Sequence, residues 1–367
     1  MAARQKLRPS RTMYMAAGDA RRLPLSNSSV DLVVTSPPYW QKRDYGFPQQ
    51  IGRERTVEEY VASLLSVLSE LRRVLTASGS VFLNIGDTYV DGSLAGVPSH
   101  LEIAARRAGW LIPNRIVWAK PSGMPSPHRT RLVARHEAIF HLTPNADYFY
   151  DLDGYLQSMD DRVDSGDVWT IPLRPNKTRH LAPFPPEIAE RAIHLACPRR
   201  ACVRCGRPER RRVEATAELN PARPQARRAM ELARERGITD DHIRAIRATG
   251  ICDAGKAQQW QTGAGKNTDL IQVLAAEAKE KLGGYFREFT FPLRKTVGFQ
   301  PSCRCRQGMR RGIVLDPFAG TGTSLQVAAS MKRIGIGFDY EVEHLQLAEA
   351  QAVGAEAIPG NAGHAAA

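Results

Sequence analysis

Hydrophobic and polar positions along this chain alternate between short β-branched runs and longer stretches with helical spacing. The run Val30–Thr35 is mainly apolar, as expected of a strand buried in a sheet, and Ser80–Ile85 and Ile313–Asp316 are similar. Between the first two runs, Thr56 begins a capping box followed by apolar residues at helical spacing, and Gly79 is predicted to end this helix. Strands that alternate with helices predict a doubly wound α/β sheet that is mostly parallel.

Most of the chain continues this alternation. Further strands are predicted at Arg115–Trp118, Ala138–Leu142, Tyr148–Asp151, Val168–Ile171 and Ile334–Asp339, and further helices at His100–Arg107, Pro186–Ala196 and from Thr323. The pattern changes in residues 197–305, where cysteines lie near both ends. Helices are predicted within that stretch at Gln225–Arg236, Asp240–Ala248 and Asp269–Leu282.

These patterns predict a division of the chain. Two α/β parts, residues 14–196 and 306–352, are separated by a helical insert, residues 197–305. Residues 1–13 are predicted to form a flexible basic arm, and the Ala/Gly-rich residues 353–367 a disordered tail.

The chain is strongly basic. It has 51 Lys and Arg against 38 Asp and Glu, a net charge of +13, and residues 206–301 hold 18 basic and 12 acidic side chains. This surplus suits a polyanionic partner such as nucleic acid, although a solvated basic surface would have the same composition. No apolar run approaches the roughly 20 residues of a membrane span, and no apolar segment of a secretion signal follows the basic N-terminus. We therefore expect a cytoplasmic protein without a membrane partner.

A glycine-rich segment follows the predicted strand Ile313–Asp316. Its sequence is Asp316-Pro317-Phe318-Ala319-Gly320-Thr321-Gly322-Thr323. Glycines at a strand-to-helix turn allow the backbone to approach a ligand closely, and the N-terminus of the following helix presents free N–H groups. The next strand ends at Asp339, where a carboxylate is suited to binding ribose hydroxyls. Alone, the same residues would be explained by a glycine turn followed by an acidic helix cap.

A second segment, Ser36-Pro37-Pro38-Tyr39, follows the predicted strand Val30–Thr35. Open α/β sheets bind ligands at the carboxyl ends of their strands. The two prolines lack N–H donors and leave the oxygens of Ser36 and Pro37 as acceptors for an amine. Tyr39 offers a flat face to a base lifted out of its stack. Taken alone, a proline-rich turn with core aromatic residues would be the better explanation.

Together the two segments resemble the permuted beta group of the DNA amino-methyltransferases, a site-specific family that methylates cytosine N4 or adenine N6. In that family an (Asp/Asn/Ser)-Pro-Pro-Tyr motif precedes an Asp-Pro-Phe-Ala/Gly-Gly-Ser/Thr-Gly-Thr motif, the order found here. Further similar segments are Gly18-Asp19, Ser29–Val34, Trp118-Ala119-Lys120-Pro121, Arg135-His136-Glu137 and His180-Leu181-Ala182-Pro183-Phe184-Pro185. The resemblance covers about two-thirds of the chain and implies a Rossmann-like, S-adenosylmethionine-dependent methyltransferase fold.

The resemblance also implies roles for individual residues. The catalytic motif would be Ser36, Pro37, Pro38 and Tyr39, with Tyr39 stacked on a flipped base whose amine donates to Ser36 and to the Pro37 carbonyl. S-adenosylmethionine would contact Asp316, Pro317, Phe318, Gly320, Thr321, Gly322 and Thr323, with Asp339 at its ribose, Asp19 at its adenine and Phe184 at its methionine side. Asp19 and Asp339 could instead be turn or cap residues. Residues 14–196 would then be the catalytic part, 306–352 the cofactor-binding part and 197–305 the candidate target-recognition insert.

The target base is predicted from Ser36. In the family, serine at this position accompanies cytosine N4 methylation, whereas aspartate or asparagine usually accompanies adenine N6. Adenine N6 methylation by the same fold stays open, as do methylation of RNA or protein and a non-catalytic zinc-containing DNA-binding protein. The expected partner is double-stranded DNA. The enzyme would be either the modification component of a restriction-modification system, with a cognate restriction endonuclease, or an orphan methylase, and the chain could be a monomer or a homodimer.

The cysteines suggest a metal site. They are Cys197, Cys202, Cys205, Cys252, Cys303 and Cys305, all in the second half of the chain, which favours a metal over disulfides. Cys202 and Cys205 form a two-ligand knuckle, and Cys303 with Cys305 could complete a four-sulfur structural zinc site. One residue separates the second pair where a zinc ribbon has two, so Cys197 could replace one ligand. Reduced, unliganded thiols are the alternative.

Overall fold

The computed structural model describes residues 12–122, 129–159, 165–173, 184–216, 218–220, 223–250 and 269–340. The chain divides into two compact units, one comprising Met1–Arg210 with Gln300–Ala367 and the other Arg211–Phe299. The predicted insert 197–305 is therefore wider at both ends than the second unit. The predicted arm ends too late, because Met13 already begins a strand. Residues 1–11 and the predicted tail lie outside the described residues.

Strands and helices are numbered in chain order. The strands are β1 (Met13–Ala17), β2 (Val30–Thr35), β3 (Leu75–Ile85), β4 (Tyr89–Val90), β5 (Ser93–Leu94), β6 (Leu111–Ala119), β7 (His136–Thr143), β8 (Val168–Thr170), β9 (Arg200–Cys202), β10 (Glu209–Ala215), β11 (Arg294–Pro301), β12 (Met309–Arg311), β13 (Ile313–Asp316) and β14 (Ile334–Asp339). The helices are α1 (Val57–Val74), α2 (Val97–Arg107), α3 (Leu152–Met159), α4 (Pro186–Ala196), α5 (Pro224–Glu235), α6 (Asp240–Thr249), α7 (Asp269–Leu282) and α8 (Thr323–Ser330). A 3-10 helix spans Gly283–Thr290.

The first unit is built on an eight-stranded sheet in the order β1-β14-β13-β2-β3-β7-β6-β8. Strand β7 is antiparallel to both of its neighbours, and every other adjacent pair is parallel. The predicted mostly parallel sheet is thus confirmed. Strands β2 and β13 are far apart in sequence but adjacent in the sheet, with Val33 opposite Leu315. Their carboxyl ends therefore lie side by side.

Helices cover both faces of this sheet, because successive residues of a strand point to opposite faces. On β2, Val33 belongs to a core covered by α1 and α2, whereas Leu32 and Val34 belong to a core covered by α4 and α8. All six residues of β2 are buried, as its mainly apolar sequence predicted. The segment that follows β2 therefore leaves from an enclosed strand.

The predicted end of α1 is wrong. The helix ends at Val74 rather than at Gly79, since Leu75 already has extended backbone angles and begins β3. Gly79 lies inside β3, where an added Cβ would come within 3.2 Å of the Asp31 carbonyl oxygen. The glycine therefore permits the close approach of β2 and β3 and does not end the helix.

The strand predicted at Tyr148–Asp151 is also wrong, because these residues form no strand. The rings of Tyr148 and Tyr150 pack against His141, with centroids 5.2 and 5.7 Å from its ring. Alternating aromatic residues here serve side-chain packing rather than strand pairing.

The second unit has a core of its own. This core is formed by Leu219, Ala226, Ala229, Leu232, Ala233, Ile246, Ala278, Leu282, Phe286 and Phe289. The helices predicted in this stretch correspond to α5, α6 and α7, whose ends differ from the predicted ones by at most one residue. In both units, none of the described helices is long and apolar enough to cross a membrane.

Candidate active site

The Ser-Pro-Pro-Tyr and glycine-rich segments meet at one edge of the sheet. Each follows one of the two adjacent parallel strands β2 and β13. The hydroxyl of Thr35, the last residue of β2, donates a hydrogen bond of 2.7 Å to Oδ1 of Asp316, the last residue of β13. Two segments about 280 residues apart are thus joined at the carboxyl ends of their strands, where open α/β sheets bind ligands.

Asp316 orders the glycine-rich turn from inside the protein. Its Oδ2 accepts a hydrogen bond of 2.6 Å from the Ser324 hydroxyl in α8, and its Oδ1 accepts one of 3.1 Å from the Phe318 N–H. Burial raises the pKa of Asp316 to about 6, although these hydrogen bonds and that of Thr35 act in the opposite direction. Both of its carboxylate oxygens thus accept hydrogen bonds within the protein, and its predicted contact with a cofactor stays a prediction.

The glycine-rich turn leaves open space beside its backbone. Gly320 and Gly322 have left-handed φ angles of +51° and +78°. The Gly320 N–H donates a hydrogen bond of 2.8 Å to Oδ2 of Asp339 at the end of β14. A Cβ built on Gly320 would meet no atom of the described residues within 4 Å. Of the remaining residues of the segment, Pro317 is buried, while Phe318, Thr321 and Thr323 are half-buried.

Asp19 lies just after β1, beside the carboxyl end of β14. The Arg21 guanidinium donates to it, with Nε 3.0 Å from Oδ1 and Nη2 2.8 Å from Oδ2. Burial acts to raise the pKa of Asp19, but the hydrogen bonds from Arg21 outweigh it and lower the pKa below its usual value. Phe184 is half-buried against the core beneath α4. The preceding residues of its motif, 180–183, lie outside the described residues.

The Ser-Pro-Pro-Tyr segment is held by its neighbours. The Tyr60 hydroxyl in α1 donates a hydrogen bond of 2.8 Å to the Pro38 carbonyl oxygen. The ring of Tyr39 packs closely on Gly86 after β3, where a Cβ would lie 2.9 Å from the Tyr39 Cε2 atom. Pro37 is buried, whereas Ser36 and Tyr39 are half-buried. The segment therefore has a defined position beside the glycine-rich turn.

Three polar side chains surround the Tyr39 hydroxyl. This hydroxyl donates a hydrogen bond of 2.6 Å to Oε2 of Glu137 and accepts one of 2.8 Å from Nδ2 of Asn84. It also accepts a hydrogen bond of 3.3 Å from the Ser36 hydroxyl. The Lys120 ammonium donates to the other carboxylate oxygen, Oε1, of Glu137. Burial, followed by the nearby Glu137 carboxylate, raises the pKa of Tyr39 well above its usual value.

The sequence contained signals for Asn84, Lys120 and Glu137, but we did not predict their contacts with the Ser-Pro-Pro-Tyr segment. Asn84 is a polar residue that follows the apolar run Val81–Leu83, and Lys120 and Glu137 belong to segments that resemble those of the family. Because β7 is antiparallel to β3 and β6, its first residues lie beside the last residues of those strands, and Glu137 pairs with Trp118. This juxtaposition depends on strand directions that hydrophobic spacing does not determine.

The four predicted metal ligands form one cluster. The sulfur atoms of Cys202, Cys205, Cys303 and Cys305 all lie within 4.8 Å of one another. Antiparallel pairing of β9 and β12 brings the two pairs of cysteines together. Cys197 lies outside this group and is buried in the core beneath α4, so its proposed substitution for a ligand is wrong. Cys252 lies outside the described residues.

Comparison with known proteins agrees with this architecture. The model of the DNA methylase family N6_N4_Mtase matches residues 30–203 and 307–350, on either side of the second unit. The type II methyltransferase M.XycI of Xanthomonas campestris pv. cyanopsidis is 35% identical over 218 residues, covering 49% of this chain and 71% of the relative. M.Cfr9I of Citrobacter freundii is 34% identical over 215 residues, covering 48% and 70%.

A solved structure has the same fold. The PvuII DNA methyltransferase, described as cytosine-N4-specific, superposes with a TM-score of 0.53 at 15% sequence identity, covering 96% of this chain and 89% of that one. The two sequence motifs meet at one edge of the sheet, as described above. The family match on both sides of the second unit and the similarity to type II methyltransferases agree with this arrangement. This chain belongs to the N6_N4 DNA methylase family.

Proposed function

We propose that this protein is a site-specific DNA methyltransferase that transfers a methyl group from S-adenosylmethionine to the exocyclic N4 amine of a flipped-out cytosine. The observation that carries the proposal is the hydrogen bond between Thr35 and Asp316, which joins the Ser-Pro-Pro-Tyr segment to the glycine-rich turn. A methyl donor at the turn and an acceptor base at the segment would therefore face each other across two neighbouring strand ends.

The glycine-rich turn fits S-adenosylmethionine. Open space beside Gly320 allows a ligand to approach the backbone, and α8 begins immediately after the turn with its N-terminal N–H groups. Asp339 holds the turn through the Gly320 N–H, and a carboxylate at this strand end is suited to a ribose hydroxyl. We assign Asp19 to the adenine and Phe184 to the methionine side. When bound, S-adenosylmethionine supplies an activated methyl group.

The Ser-Pro-Pro-Tyr segment would bind the target amine. The Pro38 carbonyl already accepts from Tyr60, so we assign the Pro37 carbonyl, together with the Ser36 hydroxyl oxygen, as the acceptors for the amine hydrogens. Hydrogen bonds to both hydrogens leave the nitrogen lone pair directed at the methyl group. Transfer would form the N–C bond as the S–C bond breaks, with the neutral thioether leaving and the amine releasing one of its hydrogens as a proton to water. The ring of Tyr39, fixed against Gly86, would stack on the extruded base. Positioning and electrostatics supply the acceleration, and no covalent enzyme intermediate is required.

Ser36 supports cytosine N4 over adenine N6 as the target. A carboxylate or amide at this position is typical of the adenine enzymes that the sequence resembles, and a serine is typical of the cytosine enzymes. The PvuII enzyme with the same fold is named as cytosine-N4-specific. Adenine N6 is the alternative that the experiment below distinguishes.

Double-stranded DNA is the proposed substrate. The second unit belongs to the basic stretch 206–301 and contains the three helices α5, α6 and α7, so we propose that it contributes to target recognition. In the loop after Trp40, the side chains of Lys42, Arg43 and Arg53 are exposed and would contact phosphates. We further propose a cognate restriction endonuclease as the partner activity of the system, with the methyltransferase acting as a monomer or a homodimer.

The cysteine cluster fits a structural zinc ion. Four sulfurs bound to zinc at about 2.3 Å lie about 3.8 Å apart, so sulfurs within 4.8 Å need only a small contraction. Four thiolates leave no open coordination position, and the ion would join the β9 and β12 segments without taking part in the reaction.

The activity is tested by incubating the full chain with S-adenosylmethionine and unmodified bacterial genomic DNA, followed by single-molecule sequencing that scores both modified bases. We expect N4-methylcytosine in one short sequence motif. Ser36→Ala should abolish the mark, whereas Ser66→Ala, a matched change at an exposed serine of α1, should leave it unchanged. N6-methyladenine would overturn the choice of base, and the absence of any mark from folded protein would overturn the proposed function.

A further inference from the structure

The hydroxyls of Ser36 and Tyr39 form a chain of hydrogen bonds that ends on a carboxylate. The Ser36 Oγ lies 3.3 Å from the Tyr39 hydroxyl oxygen, which lies 2.6 Å from Oε2 of Glu137. Asn84 donates both to the Tyr39 oxygen, at 2.8 Å, and to Oε2 of Glu137, at 2.9 Å. The Ser-Pro-Pro-Tyr segment is thus connected to two side chains on the neighbouring strands, Asn84 on β3 and Glu137 on β7.

The Glu137 carboxylate at the end of this series of hydrogen bonds determines which group donates in each of them. An ionised carboxylate only accepts hydrogen bonds, so the Tyr39 O–H must donate to Glu137. The Tyr39 oxygen is then left to accept from Asn84 and from Ser36. Since a serine hydroxyl has a single proton, the Ser36 proton points to Tyr39 and the Ser36 lone pairs point elsewhere.

The carboxylate at the end of the chain is itself held in place. The side chains of Lys120 and Glu137 are 15% and 14% exposed, and their charged groups are in contact. The Lys120 ammonium also lies 4.5 Å from the centroid of the Trp118 ring. The backbone N–H of Lys120 donates a hydrogen bond of 2.8 Å to the Arg135 carbonyl oxygen. The carboxylate of Glu137 is therefore held in one orientation by an ion pair that is largely shielded from water.

We propose that Glu137, held by Lys120, is a positioning residue that orders the Ser36–Tyr39 hydroxyl chain so that the Ser36 oxygen accepts from the target amine. The inference rests on the proposed function. It addresses a problem specific to serine, since a hydroxyl that rotates freely donates as readily as it accepts, whereas an aspartate at the same position only accepts. Glu137 removes this ambiguity without touching the substrate.

The proposal is tested by a double-mutant cycle on the full chain, with initial rates of tritiated methyl transfer to unmodified bacterial genomic DNA. Glu137→Gln keeps the size of the side chain and removes its charge. It should lower kcat about 10- to 100-fold, the equivalent of about 1.4 to 2.7 kcal/mol, while KM for DNA and Kd for S-adenosylmethionine change by less than about two-fold. Tyr39→Phe interrupts the same chain, and adding Glu137→Gln to it should lower kcat no further than about two-fold.

Two further variants complete the design. Glu102→Gln removes a carboxylate from the exposed pair with Arg115 and should leave kcat unchanged. Lys120→Met leaves Glu137 in place but removes its cationic partner. It should lower kcat and show the same non-additivity with Tyr39→Phe. It replaces Glu137→Gln in the cycle if that variant does not fold.

The outcomes distinguish the positioning role of Glu137 from the proposed methyltransferase function. Independent, multiplicative effects of the Glu137 and Tyr39 changes would overturn the positioning role, as would a loss explained entirely by KM, by Kd or by a lower Tm. A wild-type protein that binds S-adenosylmethionine but methylates no DNA would instead overturn the proposed function.

Discussion

Replacing Gly320 with alanine adds one methyl group at the point where the backbone is proposed to approach S-adenosylmethionine. Within the described residues, an added Cβ meets no atom within 4 Å, so the substitution causes no steric clash inside the protein. Gly320 has a φ of +51°, which an L-residue adopts at some cost. The change therefore separates a small effect on folding from a larger effect on ligand binding.

Both effects can be given a magnitude. A left-handed conformation costs an L-residue about 1–2 kcal/mol, and the reduced freedom of the unfolded chain offsets about 0.4–1 kcal/mol of it. The net loss of about 1 kcal/mol lowers Tm by about 2–4 °C in a domain of this size. A methyl group forced into a close contact costs about 1–3 kcal/mol, which weakens S-adenosylmethionine binding about 5- to 150-fold.

The assay combines isothermal titration with S-adenosylmethionine and thermal unfolding without it. Gly237→Ala is the matched control, because Gly237 in the second unit has a φ of +66° and also has open space around its Cβ position. This variant should lose similar stability without losing affinity. Unchanged affinity in folded Gly320→Ala would show that the cofactor does not approach this backbone, and equal losses of affinity in both variants would show that strain alone is responsible.

Three further predictions concern stability. Burial raises the pKa of Asp316 to about 6 from 3.8, so the cofactor-free folded state binds the Asp316 proton more tightly than the unfolded chain does. The contribution of Asp316 to the free energy of unfolding therefore falls by about 3 kcal/mol as pH rises from about 4 to 6. Asp316→Asn should remove this slope in urea titrations across that range, and parallel wild-type and variant curves would contradict the assignment. Arg310→Ala should lower the free energy of unfolding by about 3–5 kcal/mol, since the buried Asp31 carboxylate, which is 3.0 Å from Arg310 Nη2, loses its charged partner; a loss below about 1 kcal/mol in urea denaturation would refute this. Changing Cys202 and Cys205 to serine should lower both the zinc content measured by mass spectrometry and Tm. A wild-type protein that is purified without metal, and whose Tm does not rise when zinc is added, would exclude the zinc site.

Much of the candidate site was predictable from local sequence. Strand β2 has its predicted bounds because its mainly apolar residues are buried on both faces of the sheet, and the turn after β13 requires glycines because Gly320 and Gly322 adopt left-handed angles. The order of the two motifs along the chain predicted the family, which the comparisons confirm. Cysteine spacing likewise predicted the four-sulfur cluster.

The surroundings of these motifs were not predictable in the same way. Gly79 is conventionally a helix terminator, but here it lies in β3, where a Cβ would be crowded by Leu75 and Thr76 of the same strand and by the Asp31 carbonyl oxygen of β2. The hydrogen bonds that the Asp316 carboxylate accepts from the hydroxyls of Thr35 and Ser324 were likewise not predicted, and its predicted contact with the cofactor stays a prediction. In each case the outcome depends on a neighbour that is distant in sequence.

The sequence alone thus determined strand β2, the glycine-rich turn and the side chains that they present, because β-branched burial and glycine conformations are local properties of the chain. Only the tertiary structure decided that Glu137 and Lys120 hold the hydroxyl chain of Ser36 and Tyr39. The physical reason is the single reversed strand β7, which brings the start of one strand beside the ends of β3 and β6. Strand order and direction result from the packing of the whole sheet, and no local pattern of residues specifies them.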